Sequence, residues 1–192
     1  MAYQKLQASR AIAVIPSNTV NIPNPAMLIV NSTTTGASAG KLIDSAGDFV
    51  NKGVKVGDIV YGGTTVAATV TAVDSSTILS LSADIFTNAP NDTYTVFQGG
   101  PQFEQRIDSS SGCLLYVGSS ASIVQDIQAT SPADPGVGTA DPRYVDVAVK
   151  VVQGNTVVFK NFKVGNYLPV QVTKLMSTGS SAAVRQNCIA IW

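Results

Sequence analysis

The residues of this chain best spaced for chemistry are two carboxylate pairs, Asp44 with Asp48 and Asp134 with Asp141. Paired carboxylates do general acid/base work when their surroundings push the two pKa values apart. All four sit beside Gly, Pro or Ser, where aspartate stabilises turns by bonding to nearby backbone, so they read as turn residues. No DxDxDG-like spacing supports a calcium loop. Ser109-Ser110-Ser111-Gly112 and Ser119-Ser120 offer hydroxyls, but the chain contains no histidine and no Ser-x-x-Lys spacing to activate one. The absence of histidine also removes the Ser-His-Asp triad and every histidine-liganded zinc site.

Other matches are weaker. Gly40-Lys41 lacks the upstream glycine of a phosphate-binding loop and leads into a strand pattern. Asn31-Ser32-Thr33 and Asn91-Asp92-Thr93 fit the N-glycosylation pattern, which carries weight only in an exported chain. Tyr3, Tyr61, Tyr116, Tyr144 and Tyr167 could line a sugar-binding face, but tyrosines dispersed over strands read as core or interface residues. Cys113 and Cys188 lack metal or redox spacing. They read as two buried free thiols, with one long-range disulfide as the alternative. No catalytic, cofactor-binding or metal-ligating residue is assigned, and the chain reads as non-enzymatic, with no cofactor.

Composition points to strands. There is one glutamate, Glu104, among 12 acidic residues, so the remaining acids are the turn-favouring aspartate. Val, Ser and Thr are abundant, and no apolar period of 3.6 persists. Charged residues make up only 12 % of the 192, and the formal net charge is zero. A basic excess for nucleic acid or an anionic membrane is missing. No apolar run approaches the roughly 18 residues of a membrane span. Ala11 to Ile15 is too short for a signal-peptide core and stops at Pro16. Synthesis in a cytoplasm is the expectation.

Along the chain, Ala11–Ile15 and Met27–Val30 read as short strands, separated by Asn21-Ile22-Pro23-Asn24-Pro25. The Ser/Thr/Gly connector 31–40 leads into a unit at 41–97. Its marks are Val56-Gly57-Asp58 feeding a strand, the turn Asp74-Ser75-Ser76-Thr77 between two alternating runs, and Tyr94-Thr95-Val96-Phe97. Gln98-Gly99-Gly100-Pro101 marks the exit. Strands then follow at Cys113–Val117, around Gln153-Gly154-Asn155 as a hairpin, at Leu168–Leu175 and at Asn187–Trp192. The expected fold is all-β: a β-sandwich body from 1–30 plus 100–192, with a small β-barrel or sandwich, 41–97, inserted. The last strand should bury Ile189, Ile191 and Trp192, in the core or against a neighbouring subunit.

Leu115-Tyr116-Val117-Gly118, Val157 to Phe162, Gly165-Asn166-Tyr167-Leu168-Pro169-Val170-Gln171-Val172, Ser177-Thr178-Gly179 and Ile189-Ala190-Ile191-Trp192 form a pattern. It resembles the C-terminal signature of small virion proteins of tailed bacteriophages. Lys41 to Phe49, Val56 to Val60 and Leu79 to Phe86 resemble a module that recurs in phage structural proteins. The resemblance implies a non-enzymatic virion protein, a capsid decoration (cement) protein on the capsid surface, made in the host cytoplasm. Its implied partners are the major capsid protein and itself, as a homotrimer, with neither nucleic acid nor membrane. The alternative is a spike, fibre or host-glycan-binding module of the virion. An enzyme would need a carboxylate pair at catalytic separation.

Overall fold

A computed structural model describes residues 10–86, 90–99, 112–118, 144–182, 184 and 187–192. Among these the chain is all-β, the sandwich class expected, with two antiparallel six-stranded sheets and no α-helix. It divides into two compact units, one of 1–18 with 112–192 and one of 19–111.

The unit of 19–111 holds β2 (Leu28–Thr33), β3 (Lys41–Ile43), β4 (Ile59–Gly62), β5 (Val66–Val73), β6 (Ile78–Leu81) and β7 (Thr93–Phe97), in the order β2-β7-β4-β5-β6-β3. Just past β2, Gly36 bridges to Ile43 at the end of β3, and the Thr35 N–H donates to the Ile43 carbonyl at 2.8 Å. The two outer strands are thereby tied together, and the sheet closes on itself in the manner of a small barrel. Alternation puts Val30, Leu42, Leu79, Leu81, Tyr94 and Val96 inside. Phe49 and Phe86 complete the interior, each edge-on to the Tyr94 ring, with centroids 6.2 and 6.3 Å away.

The expected boundary therefore shifts. Residues 28–33, assigned from sequence to the sandwich body and its connector, pair with β7 from Leu28↔Phe97 to Thr33↔Thr93. A short apolar run such as Met27–Val30 carries no information about its partner strand, which is 60-odd residues away. The exit at Gly100-Pro101 lies outside the described residues.

The second unit holds β1 (Ala11–Ala13), β8 (Cys113–Val117), β9 (Tyr144–Val151), β10 (Thr156–Lys163), β11 (Asn166–Leu175) and β12 (Cys188–Ile191), in the order β1-β12-β8-β11-β9-β10. Two sequence features shape it. Pro169 sits in β11, an interior strand, where a missing N–H breaks a ladder. The register slips between Tyr167 and Gln171, so the proline falls within the irregularity. Gly118 follows β8 and donates its N–H to the Asn187 carbonyl at 2.9 Å. A Cβ there would collide with that same carbonyl oxygen, so this approach between β8 and the start of β12 requires glycine.

Candidate interaction surface

Asp44 and Asp48, read from the sequence as turn residues, do structural work. Asp44 is buried, and its carboxylate accepts from the Tyr94 hydroxyl at 2.6 Å, Ser32 Oγ at 2.9 Å and the Ala46 N–H at 2.9 Å. Burial acts to raise its pKa. The bonds from Tyr94, Ala46 and Ser32, with Lys52 nearby, outweigh it and hold the group below its ordinary value. Burial, and after it the same contact, push the Tyr94 hydroxyl upward. Asp48 is exposed, adopts φ 48°, and accepts from Asn51 Nδ2 at 2.8 Å. The two are therefore members of separate turns. Asp134, Asp141, Ser109–Ser111, Ser119-Ser120 and Tyr3 lie outside the described residues.

Asp58 is a second buried carboxylate, in the Val56-Gly57-Asp58 turn. It accepts from the Lys55 N–H at 2.8 Å and the Gly99 N–H at 2.9 Å, pinning the chain's path after β7. Here burial dominates over those bonds and raises the pKa. Tyr94 and Gly99 lie 50 and 41 residues from their carboxylates, a separation at which sequence gives no pairing signal.

Gly40-Lys41 is a turn and strand start: Gly40 has φ 67°, and Lys41 Nζ meets Asp74 Oδ2 at 2.8 Å and Ser80 Oγ at 2.6 Å. Cys113 and Cys188 are buried free thiols, each pushed up to about 12 chiefly by burial. Cys188 lies opposite Val117, four residues along β8 from Cys113. That is roughly 13 Å at 3.3 Å per residue, beyond disulfide reach. Among the described residues no cluster of acidic or cysteine side chains could hold a metal ion, and no helix is long and apolar enough to cross a membrane.

Of the described tyrosines, Tyr116 and Tyr167 come together and Tyr61 lies in the other unit. Tyr61 is buried in the 19–111 unit against Phe97, with centroids 5.7 Å apart. Tyr116 and Tyr167 are cross-strand neighbours in the other unit, with centroids 5.2 Å apart. They share a sheet face with Leu114, Ile189 and Ile191, because β12 pairs Ile189↔Tyr116 and Ile191↔Leu114. The first of the two alternatives for the last strand, burial of Ile189, Ile191 and Trp192 in the chain's own core, is therefore not met. The strand's buried residues are Cys188 and Ala190, while Ile189 is 39 % exposed and Ile191 and Trp192 are partly exposed. Side chains alternate with period 2, so a one-residue choice of face inverts the whole set. The result is an apolar, aromatic patch, with Tyr167 itself 50 % exposed.

A second exposed feature was not marked in the sequence. No residue of β10 is buried, although Val157, Val158, Phe159 and Phe162 are among its eight. It is the outermost strand of its sheet. Beyond Phe159 the register with β9 slips before Phe162. The irregularity is latched by Asp146, which accepts from the Asn161 N–H at 3.2 Å and from Lys160 Nζ at 2.6 Å. Asn161 adopts φ 49°. The chemistry these features offer is burial and strand pairing.

No family model matches the chain, and no curated protein or solved structure matches it significantly.

Proposed function

We propose that this protein is a non-enzymatic structural component of a tailed-phage virion, and that within the virion it is a capsid decoration protein stabilising the head shell. One observation carries the reading. The segments that bear the resemblance to phage virion proteins, Leu115–Gly118, Asn166–Val172 and Ile189–Trp192, lie on or end three neighbouring strands, β12, β8 and β11. Their alternation turns Tyr116, Tyr167 and Ile189 outward together. A pattern of this kind describes a surface made for burial against another protein. The partners are the major capsid protein and further copies of this chain. Binding only the assembled shell would stabilise it by mass action.

A spike or fibre module that binds host glycans is the second reading. The Tyr116–Tyr167 pair favours it, since aromatic faces stack on sugar rings. Cryo-electron microscopy of virions separates the readings. Density for this fold over the head shell is expected, and it should vanish with an Ile189→Asp, Tyr167→Asp variant. Density at the tail tip would overturn decoration and support the glycan reading. Absence from the virion would overturn both.

A further inference from the structure

We propose that β10 is a self-association edge through which two copies of this chain pair antiparallel about a two-fold axis centred on Val158. The inference stands on the edge itself and does not depend on the virion reading.

The backbone sets the geometry. The Val151 N–H donates to the Asn155 carbonyl at 3.0 Å at the hairpin's start. Antiparallel ladders alternate bonded and non-bonded pairs. With Val157 opposite Val149 and Phe159 opposite Val147, the backbone groups of Val157 and Phe159 point into β9. Those of Thr156 and Val158 point away from the sheet, with no backbone partner among the described residues. Val157 is 37 % and Val158 43 % exposed, so the strand's side chains are open as well. An uncharged, valine-rich stretch whose outward donors and acceptors meet no described strand is a template for another strand.

The occupant that fits is a second copy. A two-fold axis at Val158 places Val158 opposite the partner's Val158, and the two exchange both N–H···O=C bonds. Val157 then faces the partner's Phe159 twice, an aromatic and β-branched pairing that favours sheets. Thr156 faces the partner's Lys160, so no like charges oppose. Each Lys160 is already paired with Asp146 at 2.6 Å. The register slip after Phe159 ends the flat stretch and limits pairing to this register.

The contact is isologous, and it uses up the only long edge among the described strands of its sheet. The opposite edge, β1, is three residues long. The product is a closed pair and not a growing stack. It also argues for two-fold association where the sequence resemblance implied a trimer. A single strand edge is smaller than the roughly 1,200 Å² of a standard stable interface, so the pair should be weak and concentration-dependent.

Sedimentation velocity on the purified full chain tests this. The expected result is a monomer at low micromolar concentration shifting to twice the mass toward millimolar. Val158→Lys, which places two ammonium groups face to face, should remain monomeric with an unchanged melting temperature. Val158→Thr should still pair. Under oxidation, Val158→Cys should give a disulfide-linked dimer, since facing residues lie about 5.5 Å apart. Val157→Cys, opposite Phe159 instead of itself, should not. A wild-type chain that stays monomeric throughout, a pair that survives Val158→Lys, or cross-linking at 157 in preference to 158 would each overturn the proposal.

Discussion

The two units handle the same problem, the free edges of a sheet, in opposite ways. In the 19–111 unit the outer strands β2 and β3 are tied through Gly36 and Ile43, and two buried aspartates pin the chain on either side of the ring. In the unit of 1–18 with 112–192 the sheet stays open among the described strands, with no residue of β10 buried and an aromatic patch across β12, β8 and β11. Buried carboxylates fix the first unit. The second carries its exposed apolar side chains on a sheet face and on an outer strand. The contrast sets a unit closed by buried polar bonds against one with an open outer strand, and each substitution below should act on one and spare its counterpart.

The largest effect is expected from truncation after Asn187. It removes β12, which lies between β1 and β8 in the sheet. Both neighbours lose their ladders, and Cys113, Leu115 and Val117 lose the cover of Cys188 and Ala190. Amides of β8 and β11 should lose protection from hydrogen exchange, while those of β4 and β7 keep theirs. Retained protection in β8 would mean that the last strand is dispensable.

Next is Asp44→Ala. It leaves the buried Tyr94 hydroxyl and Ser32 without their acceptor. A buried group stripped of a charged partner costs about 3 kcal/mol. The loss should appear in denaturant melts and in faster exchange at β2, β3 and β7, with β8–β12 unaffected. Equal loosening of both units would break the comparison.

The elements of this fold were legible and their partners were not. β8, the β9–β10 hairpin, β11 and β12 fall where alternation, Gln153-Gly154-Asn155 and the valine-rich runs put them. These are local signals, set by side-chain period and turn chemistry. What sequence could not convey was long-range. Leu28–Thr33 joined the other unit because Phe97 and Thr93 were free to pair with it. Ile189 turned outward because the register with Tyr116 fixed the face, whereas hydrophobicity alone suggested burial. The exposed edge of β10 was hidden for the same reason, since a valine-rich strand reads alike at the centre or the margin of a sheet.

Acid titration sharpens the contrast within the closed unit. Asp44 has a folded pKa below its ordinary 3.8. Its stabilisation is complete above that value and is lost as pH falls through the folded one. Asp58, raised above 3.8 by burial despite its two backbone bonds, takes up a proton first in the folded chain. Its contribution grows as pH falls from the folded value toward 3.8. The melting midpoint of this unit should therefore hold or rise slightly on mild acidification and drop only below 3.8. Asp58→Asn should remove the rise, and Asp44→Asn the steep part of the drop. A steady decline starting near neutrality would contradict both assignments.

The smallest effect on stability, and the most specific to the open unit, is expected from Asp146→Ala. The carboxylate sits on β9 and holds the Asn161 N–H and the Lys160 ammonium across the irregularity in β10. Lys160 is solvent-exposed, and an ion pair in water contributes little to folding, so the melting temperature should stay within error of the parent chain. The shape of the edge should change. Without its acceptor, the turned-out backbone at Asn161, with φ 49°, loses the contact that favours it over extended geometry. The flat stretch beginning at Thr156 would then lengthen toward Lys163. Irregularities and charges on an outer strand limit unwanted pairing. Their removal should raise self-association at fixed concentration, read as a larger weight-average mass in sedimentation, with no change in the 19–111 unit. If Asp146→Ala associates no more than the parent chain, the latch does not govern the edge, and openness at β10 is set by the Thr156–Phe159 stretch alone.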